Sequence, residues 1–184
     1  LPAMLCPPPR MASRRPLSRV KARQNAFTTE LLFLDGEEAM VEWEGTDHTY
    51  GSRHYVDAAR QDGSLSGIRA MILVDMIGDR DLHIRREMQS TRWLTDVIWA
   101  AARRLGAADV FLDQATSIED DHVPFLSAGI QAVDLIDGPE DYPPWHTAAD
   151  TLDKVSARSL QVVGDVLTGA LPDIEKRLAT AGKP

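Results

Sequence analysis

A chain of 184 residues with 43% apolar and 26% charged side chains has the size of one globular domain, long enough to bury roughly two-thirds of its unfolded surface. Its net charge of −8 argues against nucleic acid as a partner, because phosphate binding runs on clustered Lys and Arg. A single cysteine, Cys6, excludes an internal disulfide, and no apolar run reaches the length of a transmembrane helix.

The chain opens on Leu1 and runs through Cys6-Pro7-Pro8-Pro9-Arg10 into a basic stretch, residues 10–23. That order of basic and apolar residues is wrong for a signal peptide. Residues 1–26 are expected to be disordered or foreign to the fold, with 17–24 as candidate last turns of a helix and Met11 as a candidate internal start. Residues 27–35 read as the first strand. Within it Leu31-Leu32-Phe33-Leu34 carries no polar face, the pattern of a strand buried on both sides. Asp35-Gly36 breaks it, and Glu37-Glu38 follow at once. Residues 42–50 are polar and irregular around Trp43. Gly51-Ser52 opens a helix over 53–61, which Asp62-Gly63 ends. Residues 68–77 form a second apolar strand with Asp75 near its carboxyl end, and 82–86 a short strand or loop.

The clearest helix spans 90–105, with Trp93, Val97, Ala100, Ala101 and Arg104 at three- and four-residue spacing and Gly106 as its stop. A brief strand follows at 109–112. Asp120-Asp121-His122 precedes a short helix at 123–127, ended by Ala128-Gly129, and 130–136 reads as a third buried strand. A loop with Pro139, Pro143 and Pro144 carries Trp145-His146-Thr147. Ser156 caps a final amphipathic helix that runs through Arg177 with an interruption at Pro172. Strands alternating with helices predict an α/β domain over 27–180 with a mainly parallel central sheet flanked by helices.

Each candidate functional residue has two readings. Glu37-Glu38 is either a solvated pair opening a helix, favoured by the macrodipole, or a ligand and a proton shuttle at the carboxyl end of a strand, where open α/β sheets bind ligands. Asp75 is a buried structural carboxyl or a site residue. Asp120-Asp121-His122 is a capping cluster or part of the site, and for Asp121 capping is the favoured reading. His146 is an exposed turn residue or a metal ligand. Trp43 and Trp145 are core or pocket wall. Taken together, Glu37, Glu38, Asp75 and His146 come from strand ends or the loops after them. Such a carboxylate and histidine set is the ligand chemistry of catalytic zinc.

The ordered motifs Leu32-Phe33-Leu34-Asp35-Gly36-Glu37-Glu38-Ala39, Trp43, Tyr50-Gly51-Ser52-Arg53-His54, Leu73-Val74-Asp75-Met76-Ile77-Gly78, Glu119-Asp120-Asp121-His122-Val123-Pro124-Phe125-Leu126 and Trp145-His146-Thr147 resemble the animal-type glutaminyl-peptide cyclotransferases (glutaminyl cyclases) of the zinc aminopeptidase superfamily. The resemblance covers residues 27–178. It implies a zinc exopeptidase-like α/β fold, with Glu38 and His146 as zinc ligands and Glu37 as general base and acid. Asp75 and Asp120 are implied as further catalytic residues, and Trp43 and Trp145 as substrate-binding walls. The implied reaction turns N-terminal glutamine of a peptide or protein into pyroglutamate with release of ammonia. Alternatives are a zinc aminopeptidase, with Asp75 on a second metal, and an inactive remnant. The resemblance also implies secretion or export.

One feature departs from that pattern. The resemblance implies a further zinc-binding aspartate upstream of the glutamate pair, and residues 1–29 contain neither Asp nor His. The chain is therefore expected to be an incomplete copy of the catalytic domain, lacking its N-terminal part.

Overall fold

The computed structural model describes residues 24–181. Cys6, the basic stretch 10–23 and nearly all of the expected N-terminal segment lie outside the described residues. The described elements are α1 (Tyr50–Asp62), a 3-10 turn (Ser64–Gly67), β1 (Met71–Asp75), β2 (Ile84–Glu87), α2 (Arg92–Arg104), β3 (Phe111–Thr116), α3 (His122–Ser127), β4 (Ala132–Ile136), a second 3-10 turn (Leu152–Lys154) and α4 (Ala157–Ala181).

Both strand pairs are parallel. β1 runs beside β4 with Met71 opposite Ala132 and Asp75 opposite Ile136. β2 runs beside β3 with Ile84 opposite Phe111 and a register shift before Arg86. The pairs meet where Ile84 bridges Asp137, just past β4. Every residue of β4 is buried, as its Val133, Leu135 and Ile136 require of a strand covered on both faces. Asp134 is the exception in chemistry, and it is buried too.

Alternation along β4 divides the core. Val133 and Leu135 join Leu94, Ile98, Ala101 and Ala102 of α2 and Val163, Val166 and Ala170 of α4 in the main cluster. Leu94, Ile98, Ala101 and Ala102 stand at helical spacing, which places one apolar stripe of α2 against the sheet. Ala132, on the opposite face, packs with Val56 of α1 and Phe125 of α3. Helices therefore cover both sides of the sheet, as the alternation of elements predicts.

Two sequence expectations fail. Residues 27–35 form no strand; Leu31 is 54% and Phe33 88% exposed. Four apolar residues in a row suit any extended backbone, and a strand exists only where a neighbour's backbone pairs with it. Among the described residues, 27–34 have no such ladder partner. The helix interruption at Pro172 is also absent, because α4 passes through it. Val163, Val166 and Ala170 before the exposed proline and Ile174 and Leu178 after it are all buried. One lost backbone bond does not outweigh that seam. The cap at Ser156 is as expected, its hydroxyl accepting from the amides of Arg158 (3.2 Å) and Ser159 (3.4 Å). Among the described residues no helix is long and apolar enough to cross a membrane.

Candidate active site

The acidic turn is fixed by backbone. Gly36 adopts a positive φ of 61°, and the carbonyls of Asp35, Gly36 and Glu37 accept the amides of Gly51 (3.1 Å), Tyr50 (2.8 Å) and Thr49 (2.7 Å). The donors left open at the head of α1 are thus satisfied by the turn itself. Gly51 has no side chain because a Cβ there would collide with the Asp35 carbonyl. Glu37 and Glu38 leave this turn beside the carboxyl end of β1, where Asp75 ends the strand.

The next loop is tied down by Asp47, whose carboxylate accepts the amides of Met40 (3.1 Å), Val41 (2.8 Å) and Glu42 (2.9 Å). It holds Trp43 stacked on the buried His48, with ring centroids 4.5 Å apart, while the indole N–H reaches Glu119 at 3.4 Å. On the far side of the pocket His146 sits at φ 56°, stacked with Trp145 at 3.9 Å. Its Nε2 lies 2.8 Å from Glu38 Oε1, across 108 positions of sequence.

All seven residues singled out from the sequence line one cavity of about 730 Å³: Glu37, Glu38, Asp75, Asp120, Trp43, Trp145 and His146. The same cavity takes in Asp79, Glu119, Tyr142, Asp150 and Lys154, which the sequence reading did not select. Asp79 follows Gly78 at the end of the second apolar run, a position with the same signal as Asp75. Tyr142 and Asp150 are joined by a 2.6 Å hydrogen bond across a proline-rich loop that has no periodicity to read. Asp121, expected as a cap, occupies the N-cap position of α3 without a side-chain capping bond. Its carboxylate instead accepts the Ser52 hydroxyl at 2.6 Å, tying α3 to α1.

The cavity is crowded with carboxyls, and burial decides their charge. Desolvation, with help from Glu38, Asp121 and Asp75 and against the pull of His146, raises Glu37 to about 7. Burial, opposed by the Asp121 amide and reinforced by Asp75 and Glu37, raises Asp120 to about 8. Asp75 is raised chiefly by burial. Burial thus holds Glu37 and Asp120 well above the ordinary carboxylate range, the kind of shift found where acid–base groups are gathered.

Glu38 Oε1 and His146 Nε2 are joined by a 2.8 Å hydrogen bond, so a tetrahedral zinc with bonds of ~2.0 Å, which sets its ligands about 3.3 Å apart, would replace the shared hydrogen and spread the pair slightly. Among the described residues no group of three or more His, Cys, Asp or Glu is arranged to hold a metal. The chemistry of the pair, one carboxylate and one imidazole, is compatible with two of the donors a zinc site needs.

Residues 15–171 match the model of peptidase family M28. The chain belongs to that family. It is 31% identical over 155 residues to a mouse glutaminyl-peptide cyclotransferase-like protein, covering 73% of this chain and 40% of that one. A glutaminyl cyclase from an Acidobacteriales bacterium superposes with a TM-score of 0.73 at 44% identity, over 79% of this chain and 52% of its own. A leucine aminopeptidase precursor from Bacteroides thetaiotaomicron superposes with a TM-score of 0.64 at 26% identity, over 76% and 51%. The chain thus spans less than half the length of that mouse relative and about half of each of these solved structures. For an M28 member, a zinc exopeptidase-like arrangement of parallel strands between helices is the expected fold.

Proposed function

We propose that this chain carries the pocket of a glutaminyl-peptide cyclotransferase, which converts N-terminal glutamine of peptides or proteins to pyroglutamate and releases ammonia. The observation that carries the reading is the meeting of Glu38 with His146 at 2.8 Å, beside Glu37 and Asp120 in one cavity. Similarity to glutaminyl cyclases supports it.

Glu38 and His146 would hold zinc, which supplies Lewis-acid polarisation of the γ-amide carbonyl when bound. The α-amine nitrogen attacks the γ-carbonyl carbon, and Glu37 accepts the proton that the nitrogen sheds. Glu37 then returns it to the amide nitrogen as that C–N bond breaks, so ammonia leaves and the charge balances. Asp75 and Asp120 orient the amine. The faces of Trp43 and Trp145 shield the centre from water, which favours internal attack over hydrolysis. An exported compartment goes with this reading, by the resemblance alone.

A zinc aminopeptidase is the second reading, favoured by the leucine aminopeptidase precursor among the structural neighbours. An inactive remnant is the third, favoured by the two-donor metal set. Mass spectrometry of a glutamine-initiated peptide incubated with the chain and zinc separates them. Loss of one ammonia supports the cyclase, release of a free amino acid the peptidase, and an unchanged peptide the remnant.

A further inference from the structure

Behind the pocket lies a second set of ionisable groups that the reaction does not use. Glu87 ends β2, His122 opens α3 and Asp134 sits in the middle of β4; the side chains of all three are fully buried. The Glu87 carboxylate accepts the Gln89 amide at 2.9 Å, the Ser90 amide at 2.7 Å and the Ser90 hydroxyl at 2.9 Å. A carboxylate with three donors is held ionised, and these donors with His122 keep Glu87 below its usual range despite burial. His122 Nε2 stands 3.1 Å from Glu87 Oε2, so Nε2 carries the hydrogen and donates it. The other ring nitrogen, Nδ1, stands 3.7 Å from Asp134 Oδ2, beyond hydrogen-bond reach, and among the described residues it has no hydrogen-bond partner.

A proton on Nδ1 or on Asp134 gives the trio the same total charge, and with a proton on neither Asp134 is a bare buried carboxylate. Among the described residues no donor reaches either oxygen of Asp134, and the carboxyls of Asp120, Asp75, Glu87 and Asp121 all act on it. A buried carboxylate without donors and beside like charges is the costlier species.

We propose that Glu87, by holding His122 through Nε2, leaves the buried Asp134 without a donor and so keeps a proton on it, leaving Asp120 as the carboxyl of this cluster that exchanges protons with the pocket. His122 is a positioning residue: anchored by Glu87, it turns a bare nitrogen rather than an N–H toward Asp134. Ser90 closes the set, since its hydroxyl also accepts the Asp134 amide at 3.0 Å. The inference rests on the proposed cyclase reading only for the part Asp120 plays in turnover.

Two NMR measurements on the 184-residue chain test it without turnover. With ¹⁵N-labelled histidine at pH 7, His122 is expected as the neutral Nε2–H form; an imidazolium signature would overturn the proposal. With ¹³Cγ-labelled aspartate, the titration midpoint of Asp120 is expected to stay put in Asp134→Asn, because asparagine copies the shape and charge of a neutral carboxyl. Were Asp134 charged, its removal would lower that midpoint by on the order of one unit or more, and this shift would overturn the proposal. Should Asp134→Asn fail to fold, the ¹³Cγ shift of Asp134 in the wild-type chain at pH 7 decides: a protonated carboxyl is expected, and a carboxylate would overturn the proposal. A chain that shows no cyclase activity leaves both readouts intact.

Discussion

Asp120 is 3% exposed and raised to about 8, by burial first and then by Asp75, Glu37 and Asp121, against about 3.9 in an unfolded chain. Between those values the native state holds a proton that the unfolded state has released. Its stabilising share is complete below the unfolded value and is lost as pH rises through the folded one. Asp137, raised to about 7 mainly by burial, acts in the same direction. Urea midpoints at pH 5 and pH 8 are expected to fall more steeply in wild type than in Asp120→Asn, which cannot ionise there; parallel curves would count against the buried charge cluster. Glu37→Gln is expected to lower turnover by ~10²–10⁴ at unchanged zinc binding. These residues were legible because each departs from its setting: paired carboxylates after an apolar run, an aspartate inside another, a histidine flanked by Trp145 and Thr147. Lys154 and Asp150 were not legible, since charged residues in a loop are the ordinary case.

At the scale of elements, the acidic turn and α1 are one unit. Gly51→Ala would drive a methyl into the Asp35 carbonyl and push the turn off the helix head. The expected result is a loss of about 1–3 kcal/mol in stability together with weakened zinc binding, read by denaturant titration and calorimetry. Stability loss with unchanged zinc affinity would show that the turn does not position Glu38. In α4, Pro172→Ala is expected to raise the urea midpoint, since an exposed proline inside a helix forfeits a backbone bond at up to ~3 kcal/mol. The helices were readable from periodic stripes and from Gly63, Gly106 and Gly129, all at positive φ. The missing strand over 27–35 was not readable, because pairing depends on a neighbour distant in sequence and hydropathy reports only burial tendency. His122 was likewise left between capping cluster and site, because sequence spacing does not reveal that Glu87 and Asp134 lie beside it.

For the molecule as a whole, β4 is the centre: β1 pairs along it, β2 lies against it, and helices cover both faces. Leu94, fully buried between α2 and that sheet, should cost ~2–5 kcal/mol on replacement by alanine, measurable in urea. The pocket lies at the carboxyl end of β1 and just past β4, so parallel topology delivers Asp75 to the same rim as His146. That delivery joins Glu38 to a partner 108 positions away, and the rest of the functional account depends on it. Calorimetric zinc titration of the chain, of Glu38→Ala and of His146→Ala tests it most directly. One zinc per chain is expected, bound at least about tenfold more weakly in each variant, as when one of a few ligands is lost. Affinity unchanged in either variant, or two zinc ions per chain, would contradict it.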